Sequence, residues 1–475
     1  YGVTQEGKSI GIKVKKYTPH FFVKVNDYFT STKRSTFLRV LKLKLGGYSS
    51  TLIEDSCKVV EKLDYYGFRN NKKYKYLRLV FNSVIGMHIC KKILKKPFQG
   101  DTYKMYECNI DSILRICHIK KISPSSWIHI KGGSYSLNHD FNTQIGIEVD
   151  WTKLNPVEDT VLSDSICNMV QASYDIECNS EDGSFPRPDR DCIIQIATAF
   201  KVYGHDDFFL KHIICLGKCS PIDEPNTILE TYDTEEEVLL AWSKLILQTD
   251  PDILYQYNGD IFDGQYLYKR AVEQGCEEVF LQNLSKCKLV SGELKEAKFS
   301  SGAYGTSKYE RLIFPGRINY DLCIYMNREF KLESYKLDDV AYKFLKQNKN
   351  PVTPQMIFDY YQSQDPDKVR EVANYCIVDT LLPQRLIDKL DVIPINIEMS
   401  RETCVPIKYL VEKGQQIKVL SLIARKTRER GYLIPYLEQS DYNQDEEFAG
   451  ATVLTAMSRF YSECVTTLDF ASLYP

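Results

Sequence analysis

The 475-residue chain has no apolar run approaching the ~18 residues that a membrane-spanning helix requires, which excludes a helical span. It has no Cys-x-x-Cys. Its 15 cysteines are scattered singly, Cys215 and Cys219 being the closest pair, and no His or Cys cluster completes a zinc set. Scattered thiols without a disulfide framework suggest a reducing compartment. The first residues, Tyr1 to Gln5, lack both a signal-peptide pattern and an initiator Met. The chain is therefore expected to begin inside a gene product, and the stop at Leu473-Tyr474-Pro475 suggests a cut at the other end too.

What is present is ordinary for a soluble globular protein: 43% hydrophobic and 26% charged residues. The length fits roughly three domains of about 150 residues. The net charge of -2 hides an asymmetry. Residues 1–130 hold 25 Lys+Arg and 9 Asp+Glu, or +16, so of the totals of 61 and 63 the remainder keeps 36 and 54, or -18. A basic block beside an acidic one suggests a polyanion partner on one side and cation-holding carboxylates on the other. Solvated lysines explain the basic block equally well.

Residues 1–165 read as short strands with turns, among them Ile10 to Val14, Phe21 to Val25 and Tyr74 to Phe81. Helices are predicted near Lys33–Leu43 and Asn82–Leu94, where Lys91, Lys92, Lys95 and Lys96 recur at helical spacing. Basic residues interleaved with aromatics suit a surface that tracks a nucleic-acid backbone. Residues 166–395 read as one α/β unit. Its signals include a Thr234-x-x-Glu237 capping box, the strand Ile253–Tyr257, a helix opening at Phe262-Asp263, and a helix opening at Asp365-Pro366. Pro383 is expected to kink or end that last helix.

The candidate chemistry begins at Asp175-Ile176-Glu177, which ends the apolar run Met169–Tyr174. On a strand the two carboxylates share a face, repel, and call for a hard divalent cation, with Mg2+ the usual one. Alone, such a pair is most often a solvated strand end. Two further acidic signatures follow: Asp263 at a helix N-terminus, and Asp379 four residues after Tyr375 on one helix face.

Asp175-Ile176-Glu177, Asn258-x-x-x-Phe262-Asp263 and Tyr375-x-x-x-Asp379 resemble, in order and spacing, the three exonuclease motifs of family B DNA polymerases. Phe299–Thr306 with Gly316–Asp321, and Gly414–Ser421, are similar to delta-type members. Phe448–Val453 resembles the motif joining exonuclease and polymerase parts, with Phe in place of Tyr. Leu468-Asp469-Phe470-Ala471-Ser472-Leu473-Tyr474-Pro475 resembles motif A of the polymerase palm. The likeness covers most of residues 120–475. The Lys- and Tyr-rich wording is similar to that of large nucleocytoplasmic DNA viruses or protists.

The resemblance implies a mainly β, OB-like N-terminal domain (1–165), an RNase H-like 3′–5′ exonuclease domain (166–395) and the start of a palm (396–475). It implies that Asp175, Glu177, Asp263 and Asp379 hold two Mg2+ ions, that Tyr375 orients the attacking water, and that Asn258 and Phe262 contact DNA. Asp321 is read as a hydrogen-bonded structural carboxylate, and the segment 300–306 as a β-hairpin. In the polymerase half, Asp469, ending the strand-like run Val465–Leu468, would hold both metals with an aspartate lying beyond this chain. Phe470, Ala471, Ser472 and Leu473 would cradle the triphosphate, and Tyr474 would exclude a 2′-hydroxyl. Arg425, Lys426, Arg428 and Arg430 are either phosphate contacts or a solvated face. Implied partners are a DNA primer–template and dNTPs, with room for a sliding clamp, in the nucleus or a viral replication compartment. Motifs B and C, which follow motif A in the family, do not occur. Two other readings stay open: a free-standing exonuclease, against which Gly414–Ser421 and the motif A ending speak, and a non-catalytic replisome scaffold, which should have lost a metal carboxylate.

Overall fold

The structure is a computed structural model describing residues 1–67, 69–301, 305–347, 352–437, 454, 455 and 457–468, with side chains at 297–308 left aside. Motif A from Asp469 to Tyr474 and the joining motif Phe448–Val453 therefore lie outside the described residues.

The centre of the chain is a six-stranded sheet. Its members are β1 (Val170–Cys178), β2 (Ile193–Val202), β3 (Phe208–Leu216), β4 (Thr227–Tyr232), β5 (Ile253–Gln256) and β6 (Ile318–Asp321), in the order β4-β3-β2-β1-β5-β6. β1, β2 and β3 form an antiparallel meander, while β5 runs parallel to β1 and β6 parallel to β5. β4 runs parallel to β3, reached by a loop without a helix, while the return to β5 beside β1 uses a crossover helix. Between β4 and β5 this is α1 (Glu235–Thr249), which carries the predicted capping box of Thr234 and Glu237. After β5 comes α2 (Asp263–Glu273); α3 (Leu322–Glu329) follows β6 directly.

The sheet is covered on both faces. Alternation along β1 sends Ala172, Tyr174 and Ile176 into a core with Val238, Leu239 and Trp242 of α1. The opposite face takes α4 (Pro366–Lys389), whose Ala373, Cys376 and Ile377 pack on Ala197 and Ala199 of β2. The contact is close because the strand face is small: Ser173 lies opposite Ala199, and Asp175 opposite Ala197. It is also polar. Ser173 Oγ donates to the Thr380 carbonyl (2.5 Å), and Gln384 Nε2 donates to Ser173 Oγ (2.6 Å) and to the Ala199 carbonyl (2.7 Å).

These bonds bear on Pro383, which the sequence reading expects to kink or end α4. Pro383 does not end α4, which continues to Lys389. Proline forfeits one helical hydrogen bond, but buried Leu381, Leu382, Leu386 and Ile387 and the Gln384 bonds hold the helix on both sides of it.

The N-terminal segment builds two further sheets from strands distant in sequence. Ser9–Lys15 pairs in parallel with Ile145–Asp150, and His20–Lys24 pairs with Lys73–Val80 and Met105–Tyr106. Tyr432–Leu433, from the far end, pairs with Val59–Asp64 in the second of these sheets. Helices Ser31–Leu45 and Val84–Leu94 cover the regions predicted to be helical. On the latter, Lys91 lies 3.9 Å from the Tyr436 ring centroid. Val465–Leu468, read as a strand, carries no pairing and is exposed; no sheet among the described residues receives it. No helix among the described residues is long and apolar enough to cross a membrane.

The Glu235 carboxylate, on the first residue of α1, takes the Arg270 guanidinium and the Ile193 amide (2.8 Å) within the core, and Gln274 Nε2 (3.1 Å) at its margin. It joins α1 to α2 and to the start of β2. Removing one partner of such a pair leaves a buried charge uncompensated. Glu235→Ala is expected to lower unfolding stability by about 3–5 kcal/mol, measured by denaturant titration; a loss below about 1 kcal/mol would show that water reaches Arg270.

Candidate active site

Three segments bring their carboxylates to one end of the sheet. Asp175 and Glu177 project from β1 on the face under α4, both partly exposed. The β1–β2 ladder shifts register between Glu177 and Cys178, and such a bulge re-aims side chains at a strand end. Beside the pair, Ala197 leaves room, and Gln195 reaches α4 by donating to the Val369 carbonyl (2.9 Å).

Asp263 is the first residue of α2, as predicted, and is 5% exposed. Burial is the main cause pushing its carboxyl up from 3.8 to about 7; Asp321 and Asp379 add to this, while the amides of Asp263 and Ile176 oppose it. The Ile176 amide thus ties the first acidic segment to the second. Tyr375 and Asp379 stand one turn apart on α4, and the Tyr375 hydroxyl bonds to the Asp379 carboxylate. Burial first, then the charges of Asp379, Glu177 and Asp175, hold the Tyr375 phenol above its ordinary range. One phenol therefore faces carboxylates from two of the segments, and Asp263, from the third, faces Asp379. Asp175, Glu177, Asp263, Tyr375 and Asp379 are all brought together.

The loop before Asp263 is fixed by Asp321, as its reading as a structural carboxylate anticipates. Asp321 accepts from the amides of Asn258 (3.0 Å), Asp260 (3.0 Å) and Cys323 (2.9 Å). Asn258 takes a positive φ of 63°, which its short polar side chain tolerates, and its side chain is exposed. Phe262 is half-buried against Tyr266, with the exposed Phe185 ring edge-on at 5.3 Å.

Sequence reasoning missed the support beneath this loop. Buried Asp260 takes Arg311 Nε (2.6 Å) and Gln256 Nε2 (2.6 Å), and Gln256 in turn accepts from the Tyr174 hydroxyl. Arg311 belongs to Gly305–Ile313, which pairs with Glu293–Ser301 as the expected β-hairpin. An Asp260–Arg311 pair 51 residues apart leaves no local signal. Cys376 was missed as well: its Sγ lies 3.9 Å from Asp175 Oδ2.

The donor set suits divalent cations. Oxygens from Asp175 and Glu177 and the Cys376 sulfur lie within 4.8 Å of one another, and carboxylate oxygens are the ligands hard ions take. Without a cation, Asp263 and Asp379 sit buried beside like charge. The donors fit a divalent cation.

Comparison with known proteins agrees. The family description "DNA polymerase family B, exonuclease domain" matches residues 103–340, and "DNA polymerase family B" matches residues 405–475. The chain belongs to the family B DNA polymerases. Among its relatives are DNA polymerase delta catalytic subunits: that of Dictyostelium discoideum is 34% identical and that of Glycine max 33% identical, over all of this chain and 44% of each relative. The chain thus spans less than half the length of these relatives. The solved family B DNA polymerase of the archaeon Pyrobaculum calidifontis shares the fold, with a TM-score of 0.64 at 20% identity over 93% of this chain and 49% of that one.

The Asp263 shift has a sign that can be tested. Its pKa is raised on folding, so the unfolded chain ionises first and stability falls as pH climbs from about 4 towards 7, then levels. In metal-free protein, Asp263→Asn is expected to raise the melting temperature at pH 8, with the gain vanishing near pH 4, and to abolish the rise that a divalent cation gives the wild type. A variant destabilised at both pH values would contradict this.

Proposed function

We propose that this chain is the proofreading portion of a replicative, delta-type DNA-directed DNA polymerase, removing nucleotides from the 3′ end of DNA. The observation that carries it is the convergence of Asp175, Glu177, Asp263, Tyr375 and Asp379, from three distant segments, at one end of the sheet. Asp175, Glu177, Asp263 and Asp379 are the residues for a pair of divalent ions, with Mg2+ the expected one. Those ions supply an activated water and stabilise the leaving 3′ oxygen of an in-line displacement. Tyr375, bonded to Asp379, orients the water. Asn258 and Phe262, on the loop before Asp263, hold the terminal nucleotides, the ring offering a stacking surface. The hairpin of Glu293–Ser301 and Gly305–Ile313 stands over that loop through Arg311 and would help part primer from template.

For synthesis, Asp469 is the metal-holding residue, Phe470 to Leu473 the triphosphate cradle and Tyr474 the sugar gate, with the rest of the palm outside this chain. Primer–template DNA and dNTPs are the substrates and a sliding clamp fits as partner. The place of action is the intracellular site of replication, the nucleus or a viral compartment. A free-standing exonuclease is disfavoured by the polymerase match at residues 405–475. A non-catalytic scaffold is disfavoured by the complete carboxylate set.

The chain, given 3′- and 5′-labelled single-stranded DNA, is expected to shorten it from the 3′ end with Mg2+ and not with EDTA. Asp175→Ala should slow this by roughly 100-fold or more, the scale of metal-held charge stabilisation, while still unfolding cooperatively. Undiminished shortening by that variant would refute the assignment.

A further inference from the structure

Hydrolysis gives the Cys376 thiol no task, yet it lies against the carboxylates. Cys376 is 0% exposed. It precedes Asp379 by three residues on α4, so both side chains leave the same helix face. Its Sγ is 3.7 Å from the Asp175 carbonyl oxygen and 3.9 Å from Asp175 Oδ2. One ligand atom each from Asp175, Glu177 and Cys376 can be taken with every pair within 4.8 Å. A tetrahedral zinc ion bonds sulfur at ~2.3 Å and oxygen at ~2.0 Å, which spaces those ligand atoms by about 3.5 Å. The observed 3.9 Å is within a few tenths of an ångström of that spacing, an adjustment small side-chain rotations supply.

We infer that Asp175, Glu177 and Cys376 form a mixed oxygen–sulfur site for a thiophilic divalent cation of the zinc class. The inference rests on the exonuclease reading of the same carboxylates and adds a ligand to it. Magnesium takes oxygen donors and makes no use of the sulfur, whereas zinc and cadmium bind thiolate well. On binding, a metal–sulfur bond forms and the thiol proton passes to solvent; nothing is oxidised or reduced. An ion held this way draws Asp175 and Glu177 towards the floor of the site, under α4. The two carboxylates are then unavailable to the hard ion, so the zinc-class ion competes with Mg2+ and arrests hydrolysis.

The test titrates the purified chain with Cd2+, following the ultraviolet thiolate-to-metal charge-transfer absorption, while electron paramagnetic resonance reports bound Mn2+. Wild type is expected to show an absorption component that Cys376→Ser and Asp175→Asn each lose. Cd2+ should displace Mn2+ from wild type at a concentration roughly tenfold or more below that needed for Cys376→Ser, since even changes outside the ligand shell alter metal affinity on that scale. Serine keeps the size and the donor to the Asp175 carbonyl, and Mn2+ binding by the variant shows that its site is folded. Absorption and displacement curves unchanged in Cys376→Ser, with Mn2+ bound, would overturn the mixed site and leave the exonuclease reading standing. Failure of wild type to bind Mn2+ would overturn both.

Discussion

Mutual repulsion of carboxylates is the constraint around which this protein is built. Asp175, Glu177, Asp263 and Asp379 approach one another at the edge of a core, where low polarity strengthens like-charge repulsion. No single segment could hold them. The sheet fixes β1, α4 is clamped across it through Ser173, Thr380, Gln384 and Ala199, and Asp263 is pinned at the head of α2. The clamps on α4 are buried hydrogen bonds, and such bonds are costly to break because their groups have no water to turn to. The metal-free site holds its charges under tension, which a cation would relieve in the proposed function.

The second layer of support serves position. Asp321 gathers the amides of Asn258 and Asp260, and Asp260 is held by Arg311 from the hairpin. The hairpin is thereby coupled to the loop that presents Asp263. A displacement of one hairpin strand must either break a buried ion pair or carry the loop with it. This gives a physical route by which a hairpin engaged with a DNA strand could influence the carboxylates beneath it.

Much of the site was legible in the sequence because its signals are local. Asp175 and Glu177 alternate on a strand, Thr234 and Glu237 make a capping box, and Asp365-Pro366 opens α4 in the positions the residues dictate. Asp263 at a helix start and Tyr375 with Asp379 at one-turn spacing follow the same logic. What could not be read depends on contacts far apart in sequence. Ser9–Lys15 finds its parallel partner at Ile145–Asp150, and Tyr432–Leu433 returns to Val59–Asp64, by long-range register that no local pattern encodes. That Pro383 does not end α4 could not be read either, because helix-breaking is a local cost, here outweighed by packing on both sides. Cys376 was silent because a buried thiol reads as core until the strand opposite it is known.

The central claim is that the carboxylates from β1, α2 and α4 hold divalent ions together. Its most direct measurement is anomalous diffraction from crystals of this chain soaked in Mn2+. The account predicts manganese density bounded by Asp175, Glu177, Asp263 and Asp379, and none there in Asp175→Ala crystals. Manganese absent from that position in a well-ordered wild-type crystal would contradict it.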